Sequence, residues 1–355
     1  MSMLNAHAPA FQLNAYAPLF VPRSFEPAVA SSIPASDDLV VTEAAVLEAC
    51  DRLRQERYIF VDCEGSDLSK GSWRNGALQE GGSLHGQLCL IQIGTTTGQV
   101  YAFDIVELGA RAFDLGLRHL LEDPNIIKVV HDFRQDSDAL WHQFEVSSNS
   151  LFDCQLCDVL IRRLNGHKTT YVMGSAKLLS ANGIEAQSIP GYGVLTQDQK
   201  LLIHERFSED RHLWERRPLP ADMIAYAKAD IFPLPRLHKL LLTELARLVS
   251  NAYAGYGMVV PRPEAIAENL VLIGSAAYNR QFLELQQCRC RLCCDARLSS
   301  RFDGCRVFTR LSNSLEPWLL QRLWRPEDEE PLPEPGPSRF YINEFDESVL
   351  RPEAQ

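Results

Sequence analysis

No stretch of this 355-residue chain approaches the roughly 18–20 consecutive apolar residues that a membrane helix needs, so a helical span is excluded. The opening residues, MSMLNAHAPAFQLNAYAPLF, hold no basic segment followed by an apolar one. Neither a signal peptide nor an anchor is therefore expected, and the chain is expected inside the cell, in nucleus or cytoplasm, and not secreted. Positive charge is in deficit: 35 Lys and Arg face 46 Asp and Glu, a formal net of −11. Such a balance argues against gripping nucleic acid by bulk electrostatics. Acidic sites can still act on phosphates through bound cations. No internal repeat is present. Without a secretory signal, the ten cysteines do not read as a disulfide framework. Reduced thiols are expected instead.

What is present divides into four parts. Residues 1–40 are rich in Ala, Pro, Ser and Asn and are expected to form a disordered tail. Residues 41–250 carry the patterns of a folded domain. Residues 251–325 form a Cys/Arg-rich extension, and residues 326–355 an acidic, Pro-rich tail. Within the domain, a helix is expected from Ser36–Asp38 through VTEAAVLEACDRLRQE. YIFVDCEG (58–65) reads as a buried strand. QLCLIQIGT (87–95) and QVYAFDI (99–105) flank Thr96-Thr97-Gly98 and predict a hairpin. A polar surface loop is expected over Lys70–Gly86. Helices are expected near 111–121, 136–144, 153–164 and 197–207, with a strand at IIKVVHD and a loop over Ala181–Tyr192. A long helix over 220–249 should break or bend at Pro233 and Pro235. Strands followed by alternating strands and helices indicate an α/β domain with a mixed sheet.

Three acidic elements stand out. Asp62 and Glu64 lie two apart on a strand, so they project from one face at the strand's carboxyl end. The segment His131-Asp132-Phe133-Arg134-Gln135-Asp136 leads a strand into a helix, with Asp138 two positions on. Tyr226 and Asp230 are four apart in a helix and share a face. Each element taken alone also fits a plain structural role: a strand meeting solvent, a helix-dipole acid, or an exposed helix face.

Together, VDCEG, LCLIQIG, KVVHDFRQDSDAL, LFDCQL and RPLPADMIAYAKAD resemble the DEDD exonuclease superfamily in its DEDDy branch, the ribonuclease D and Egalitarian-like group. The resemblance covers about Tyr58–Leu242. It implies a ribonuclease H-like mixed sheet flanked by helices and removal of nucleotides from the 3′ ends of single-stranded nucleic acid, RNA before DNA. Carried over motif by motif, it assigns metal binding to Asp62, Glu64, Asp136 and Asp230, and water positioning to Tyr226. Asp136 is selected because it stands five residues after His131; Asp132 and Asp138 are its rivals. Two departures are noted: a long Lys70–Gly86 connection and Pro233 soon after Asp230.

Physical chemistry fits that assignment. Converging carboxylates repel, and two divalent cations relieve the repulsion. Hard oxygen ligands suit Mg²⁺ or Mn²⁺. A tyrosine with an ordinary pKa of about 10 is a poor base, so activation of water falls to the metal. His131 is read as a structural hydrogen-bonding group with substrate contact as the alternative; Lys128 and Arg134 are read either as phosphate contacts or as solvated charges. Cys288, Cys290, Cys293, Cys294 and Cys305 surround one C-x-x-C and could hold a structural Zn²⁺, with free thiols as the alternative. The rival to catalysis is a nucleic-acid-binding adaptor built on the same domain. The complete acidic set and the tyrosine favour the enzyme.

Overall fold

The computed structural model describes residues 39–292 apart from breaks at 69–72, 75–76, 79–84, 168–171, 185–187, 190–192, 196, 211 and 256–258. The chain enters through strand β1 (Leu39–Val40) and helix α1 (Glu43–Leu53). It continues through β2 (Tyr58–Ser66), a small hairpin of β3 (Trp73–Arg74) and β4 (Ala77–Leu78), then β5 (Gln87–Gly94) and β6 (Val100–Asp104). Short helices α2 (Ile105–Leu108) and α3 (Arg118–Glu122) lead to β7 (Ile127–Val130), α4 (Arg134–Phe144), β8 (Leu151–Asp153) and α5 (Cys154–Leu164). Next come α6 (Ser175–Ala181), the two-residue strands β9 (Ser188–Ile189) and β10 (Gly193–Val194), and α7 (Gln197–Glu209). Helices α8 (Ala221–Ile231), α9 (Leu234–Ala254) and α10 (Pro263–Leu292) close the fold.

The main sheet has six strands in the order β1-β6-β5-β2-β7-β8. β2, β5 and β6 are antiparallel neighbours, whereas β7 and β8 add in parallel beside β2 after helical crossovers. Helices flank this mixed sheet, which is the ribonuclease H-like arrangement the resemblance implied. Among the described residues no helix is long and apolar enough to cross a membrane.

The alternation along β2 fixes what each face does. Ile59, Val61 and Cys63 are buried in one core with Val46, Cys50 and Leu53 of α1. Phe60 points into the opposite core, with α5, α9 and α10. By the same period of two, Asp62 and Glu64 share the Phe60 face. A one-residue slip would bury both acids under α1.

Two expectations need correction, and one short strand was not foreseen. The helix expected from 36–38 starts later: Leu39 and Val40 pair in parallel with Ala102 and Phe103. α1 begins only after Thr42, whose Oγ1 accepts from the Ala45 N–H at 3.2 Å. A Thr N-cap outweighs the weak periodicity before it. The helix near 153–164 is present as expected, with Asp153 as its N-cap, and the short strand β8 before it was not foreseen. The Ala181–Tyr192 loop contains β9, paired with β10. The break expected in the 220–249 helix is present: α8 ends at Ile231 and α9 begins at Leu234, because Pro233 has no N–H to continue the ladder. Helix α10 packs on α9, β8 and α4.

Gly94 ends β5 where α8 comes closest. A Cβ there would lie 2.4 Å from Cγ2 of Ile231. That methyl sits on a β-branched carbon and has little freedom to move. Gly94→Ala is therefore expected to cost about 1–3 kcal/mol by overpacking and to displace the helix carrying Asp230. Chemical denaturation alongside a nuclease assay checks it; an unchanged midpoint with unchanged activity would show that α8 tolerates the added methyl.

Candidate active site

β2 outlasts its parallel neighbour. The last ladder pair to β7 joins Phe60 to Val129, so Asp62 and Glu64 extend past it toward the turn that begins α4. On the other side they stay paired with β5, opposite Gln92 and Leu90. An irregularity in the ladder follows directly after Glu64. There Gly65 runs so close to β5 that a Cβ would lie 2.1 Å from the Gln87 carbonyl oxygen. The two acids thus stand at the rim of a cleft between sheet, α4 and α8.

Helix α8 supplies the facing wall. Its Asp230 brings a carboxylate oxygen into a group with Asp62 and Glu64 whose ligand atoms all lie within 4.8 Å of one another. Asp230 is also near the C-terminal end of α8, where the helix dipole disfavours an anion and favours a cation beside it. Tyr226, one turn earlier, packs beside Trp214 with ring centroids 6.2 Å apart. Its start is anchored by Arg217, which makes paired 2.5 Å bonds to the buried carboxylate of Asp104 and also donates to the Trp214 carbonyl at 2.8 Å.

Asp136 lies in the first turn of α4 and is buried. It is outside the tight three-acid group but near enough that, after burial, Asp62 holds its carboxyl up, and that it in turn raises Glu64. Its rivals are occupied elsewhere. Asp132 takes Arg134 through two bonds of 2.5 and 2.7 Å, at a left-handed φ of 59°. Asp138 accepts from or faces His85 Nδ1 at 3.1 Å on another side of α4.

The flanking residues sort plainly. The His131 Nε2–H donates to the Met173 carbonyl at 3.1 Å, a structural bond. Arg134 lies over the Tyr278 ring, 5.1 Å from its centroid. Lys128 is fully buried, with Nζ on the carbonyls of Asp123 and Ile126 at 2.7 and 2.8 Å. It holds the entry to β7 and is no phosphate contact. The cysteines that could hold zinc, Cys288, Cys290, Cys293, Cys294 and Cys305, lie outside the residues whose side chains are described.

Sequence reading missed Lys200. From α7 its Nζ reaches Asp230 at 2.6 Å and sits 5.6 Å from the centroid of the Tyr226 ring. A lysine on an expected polar helix carries no signal of its own; only the fold brings it to the acids.

The electrostatics are those of crowded anions. Burial, then Asp230, pushes Asp62 up to about 7, against a pull down from the Cys63 N–H and Lys200. Burial, then Asp62, Asp230 and Asp136, raises Glu64 well above the carboxylate range. Burial, then Asp230, Glu64 and Asp62, push the Tyr226 hydroxyl up, so it stays protonated. Carboxylates that resist ionisation because of one another form a site for a divalent cation, and their oxygens are hard ligands. These acids can hold metal.

A raised carboxyl stabilises the fold while protonated. That contribution is present below the unfolded value near 4 and is lost as pH rises through about 7. In EDTA, Asp62→Asn is therefore expected to melt above wild type at pH 7.5 and to converge with it near pH 4.5. Each kcal/mol of relieved repulsion is about 2–4 °C for a domain of this size. Mn²⁺ should raise the wild-type melting temperature and leave the variant nearly unmoved. Equal melting curves at pH 7.5 in EDTA would mean that Asp62 feels no such crowding.

A family profile described as 3′-5′ exonuclease matches residues 38–246. The piRNA biogenesis protein EXD1 of Xenopus laevis is 41% identical over 204 residues, covering 54% of this chain and 44% of that protein. The protein of the same name from Mus musculus is 33% identical over 173 residues, covering 48% and 29%. A ribonuclease D of Gluconacetobacter diazotrophicus is 28% identical over 209 residues, covering 59% and 43%. The chain thus spans less than half the length of these curated relatives. Among solved structures, RNase D of Trypanosoma brucei gives a TM-score of 0.48 at 22% identity, covering 69% of this chain and 72% of that one. The profile match takes in more than half of the chain, including β2, α4 and α8 with all their acids, and the chain belongs to the 3′-5′ exonuclease family.

Proposed function

We propose that this protein is a metal-dependent exonuclease that removes nucleotides from the 3′ end of single-stranded RNA, with Asp62, Glu64, Asp136 and Asp230 as its metal ligands and Tyr226 as its water-positioning group. The observation that carries the reading is the convergence of Asp62 and Glu64 from β2 with Asp230 from α8 within 4.8 Å. RNA is favoured over DNA because relatives carry the names ribonuclease D and piRNA biogenesis protein.

The four acids fit two ions of the Mg²⁺ or Mn²⁺ kind by donor chemistry: oxygen only, anionic and crowded. Bound divalent cations supply a water of lowered pKa and offset charge on the phosphate oxygens. In the reaction, water adds to the terminal phosphorus, the bond to the preceding 3′ oxygen breaks, and a nucleoside 5′-monophosphate leaves. Asp62 and Glu64, fixed by the β2 ladder, and Asp230, fixed by α8, set the cation-binding geometry. Asp136 closes the set from α4. The protonated Tyr226 hydroxyl orients the attacking water by hydrogen bond and does not remove its proton. Lys200 serves as a counter-charge to Asp230.

Lys200 also favours a second reading. A lysine already paired with Asp230 partly neutralises the acids, as a nucleic-acid-binding adaptor without metal would need. The two readings separate in one experiment. Single-stranded RNA labelled at the 5′ end, and DNA of the same sequence, are incubated with the purified chain in Mn²⁺. An exonuclease of this direction gives a ladder that keeps the 5′ label, faster on RNA. An adaptor retains intact RNA in Mn²⁺ and in EDTA alike. Early release of the 5′-labelled mononucleotide would reverse the direction.

A further inference from the structure

A second cluster of ligating side chains lies on the far side of α4. Asp138 follows Asp136 by two positions, which turns it about 200° round the helix. His142 follows Asp138 by one turn and stands above it. His85, just before β5, comes from the other direction. One ligand atom from each of the three lies within 4.8 Å of the others. His85 Nδ1 is 3.1 Å from Asp138 Oδ2, and His142 Nε2 is 3.5 Å from Asp138 Oδ1. Ligand atoms in a tetrahedral zinc site, each about 2.0–2.1 Å from the ion, stand roughly 3.3 Å apart. The two imidazole nitrogens thus stand close to that spacing from the two oxygens of one carboxylate.

The group is poorly satisfied as it stands. Asp138 is completely buried, yet its Oδ1 has no hydrogen-bond partner, and neither does the buried His142 Nε2 that faces it. The imidazoles of His85 and His142 are stacked, with centroids 3.7 Å apart and planes 13° apart. Leaving the buried Asp138 Oδ1 and His142 Nε2 unpartnered costs free energy. A single dication can take one ligand atom from each of the three once the stacked rings turn their nitrogen lone pairs toward it.

We propose that His85, Asp138 and His142 form a second metal site that binds one divalent transition-metal ion, Zn²⁺ by ligand type, and ties the start of β5 to α4. Two imidazole nitrogens and one carboxylate oxygen are a borderline donor set, unlike the all-oxygen cleft, and select Zn²⁺ over Mg²⁺. Three protein ligands leave the fourth position to water. The site is independent of the exonuclease reading, since none of its residues belongs to the cleft.

The test uses the full chain, stripped of metal and dialysed against Zn²⁺ with excess Mg²⁺ to hold the cleft. Zinc per chain is measured in wild type, His142→Gln and Asp138→Asn, with every cysteine left in place. Each variant should hold one zinc fewer than wild type. The loss in affinity should exceed the roughly 10–100-fold that removal of an outer-shell partner costs. Equal zinc content in wild type and both variants would overturn the site, whatever the cysteines contribute to the total. If the variants do not fold, zinc-edge X-ray absorption of the saturated wild type decides. A nitrogen and oxygen shell at about 2.0–2.1 Å supports the site, and an all-sulfur shell overturns it.

Discussion

Asp230→Asn is expected to bring nucleotide release close to zero while leaving the protein folded. The side chain packs no core; it contributes one charged oxygen to a group it shares with Asp62 and Glu64. Amide for carboxylate removes that charge and weakens metal binding. Metal stabilisation of transition-state charge is worth several kcal/mol, so its loss should slow cleavage by about 10³-fold or more. The Lys200 ion pair is lost as well, but it is partly exposed and contributes little to stability. The check is single-turnover cleavage of labelled RNA in Mn²⁺ beside a melting curve. Near-wild-type cleavage would remove Asp230 from the mechanism. A collapsed melting temperature would instead make it a structural residue.

Tyr226→Phe is expected to slow cleavage by roughly 10²–10³-fold, the cost of one orienting bond worth about 2–4 kcal/mol in the transition state. RNA binding should change little, because the ring and its packing against Trp214 remain. Burial and the neighbouring acids keep the hydroxyl protonated, so no downward break in the pH profile should trace to its ionisation. Binding is measured in Ca²⁺ and cleavage in Mn²⁺. An unchanged rate would mean that water finds its position without the hydroxyl. Equal losses in binding and cleavage would make Tyr226 a substrate-packing residue.

The sheet was legible where the sequence alternates without competition. β2, β5 and β6 follow a period of two or an unbroken apolar run, and Thr96-Thr97-Gly98 marks the turn between the latter two. β1 and β8 escaped because two- and three-residue strands carry no period; each owes its place to a partner strand, Ala102–Phe103 for one and Lys128–Val130 for the other. The break between α8 and α9 was legible because Pro233 cannot donate to a helical ladder, although the apolar pattern continues past it. Within the cleft, spacing alone puts Asp62 beside Glu64 and Tyr226 beside Asp230. Nothing local says that the two pairs meet. That depends on Gly94 letting α8 approach, a contact between residues far apart in sequence. Lys128 misled because a charged residue next to a motif reads as exposed, whereas two backbone carbonyls satisfy its buried ammonium. Lys200 and the His85–His142 pair were silent for the same reason that Asp230 was ambiguous: their partners are supplied by the fold.

The central claim is that the acids of β2, α4 and α8 work through bound divalent ions. The most direct measurement starts the purified protein on 5′-labelled single-stranded RNA in EDTA and then adds excess Mn²⁺ to the same tube. The account predicts intact RNA before the addition and a ladder shortened one nucleotide at a time from the 3′ end after it, with no ladder from Asp62→Asn under identical conditions. Degradation in EDTA, or an equal ladder from Asp62→Asn, would contradict it.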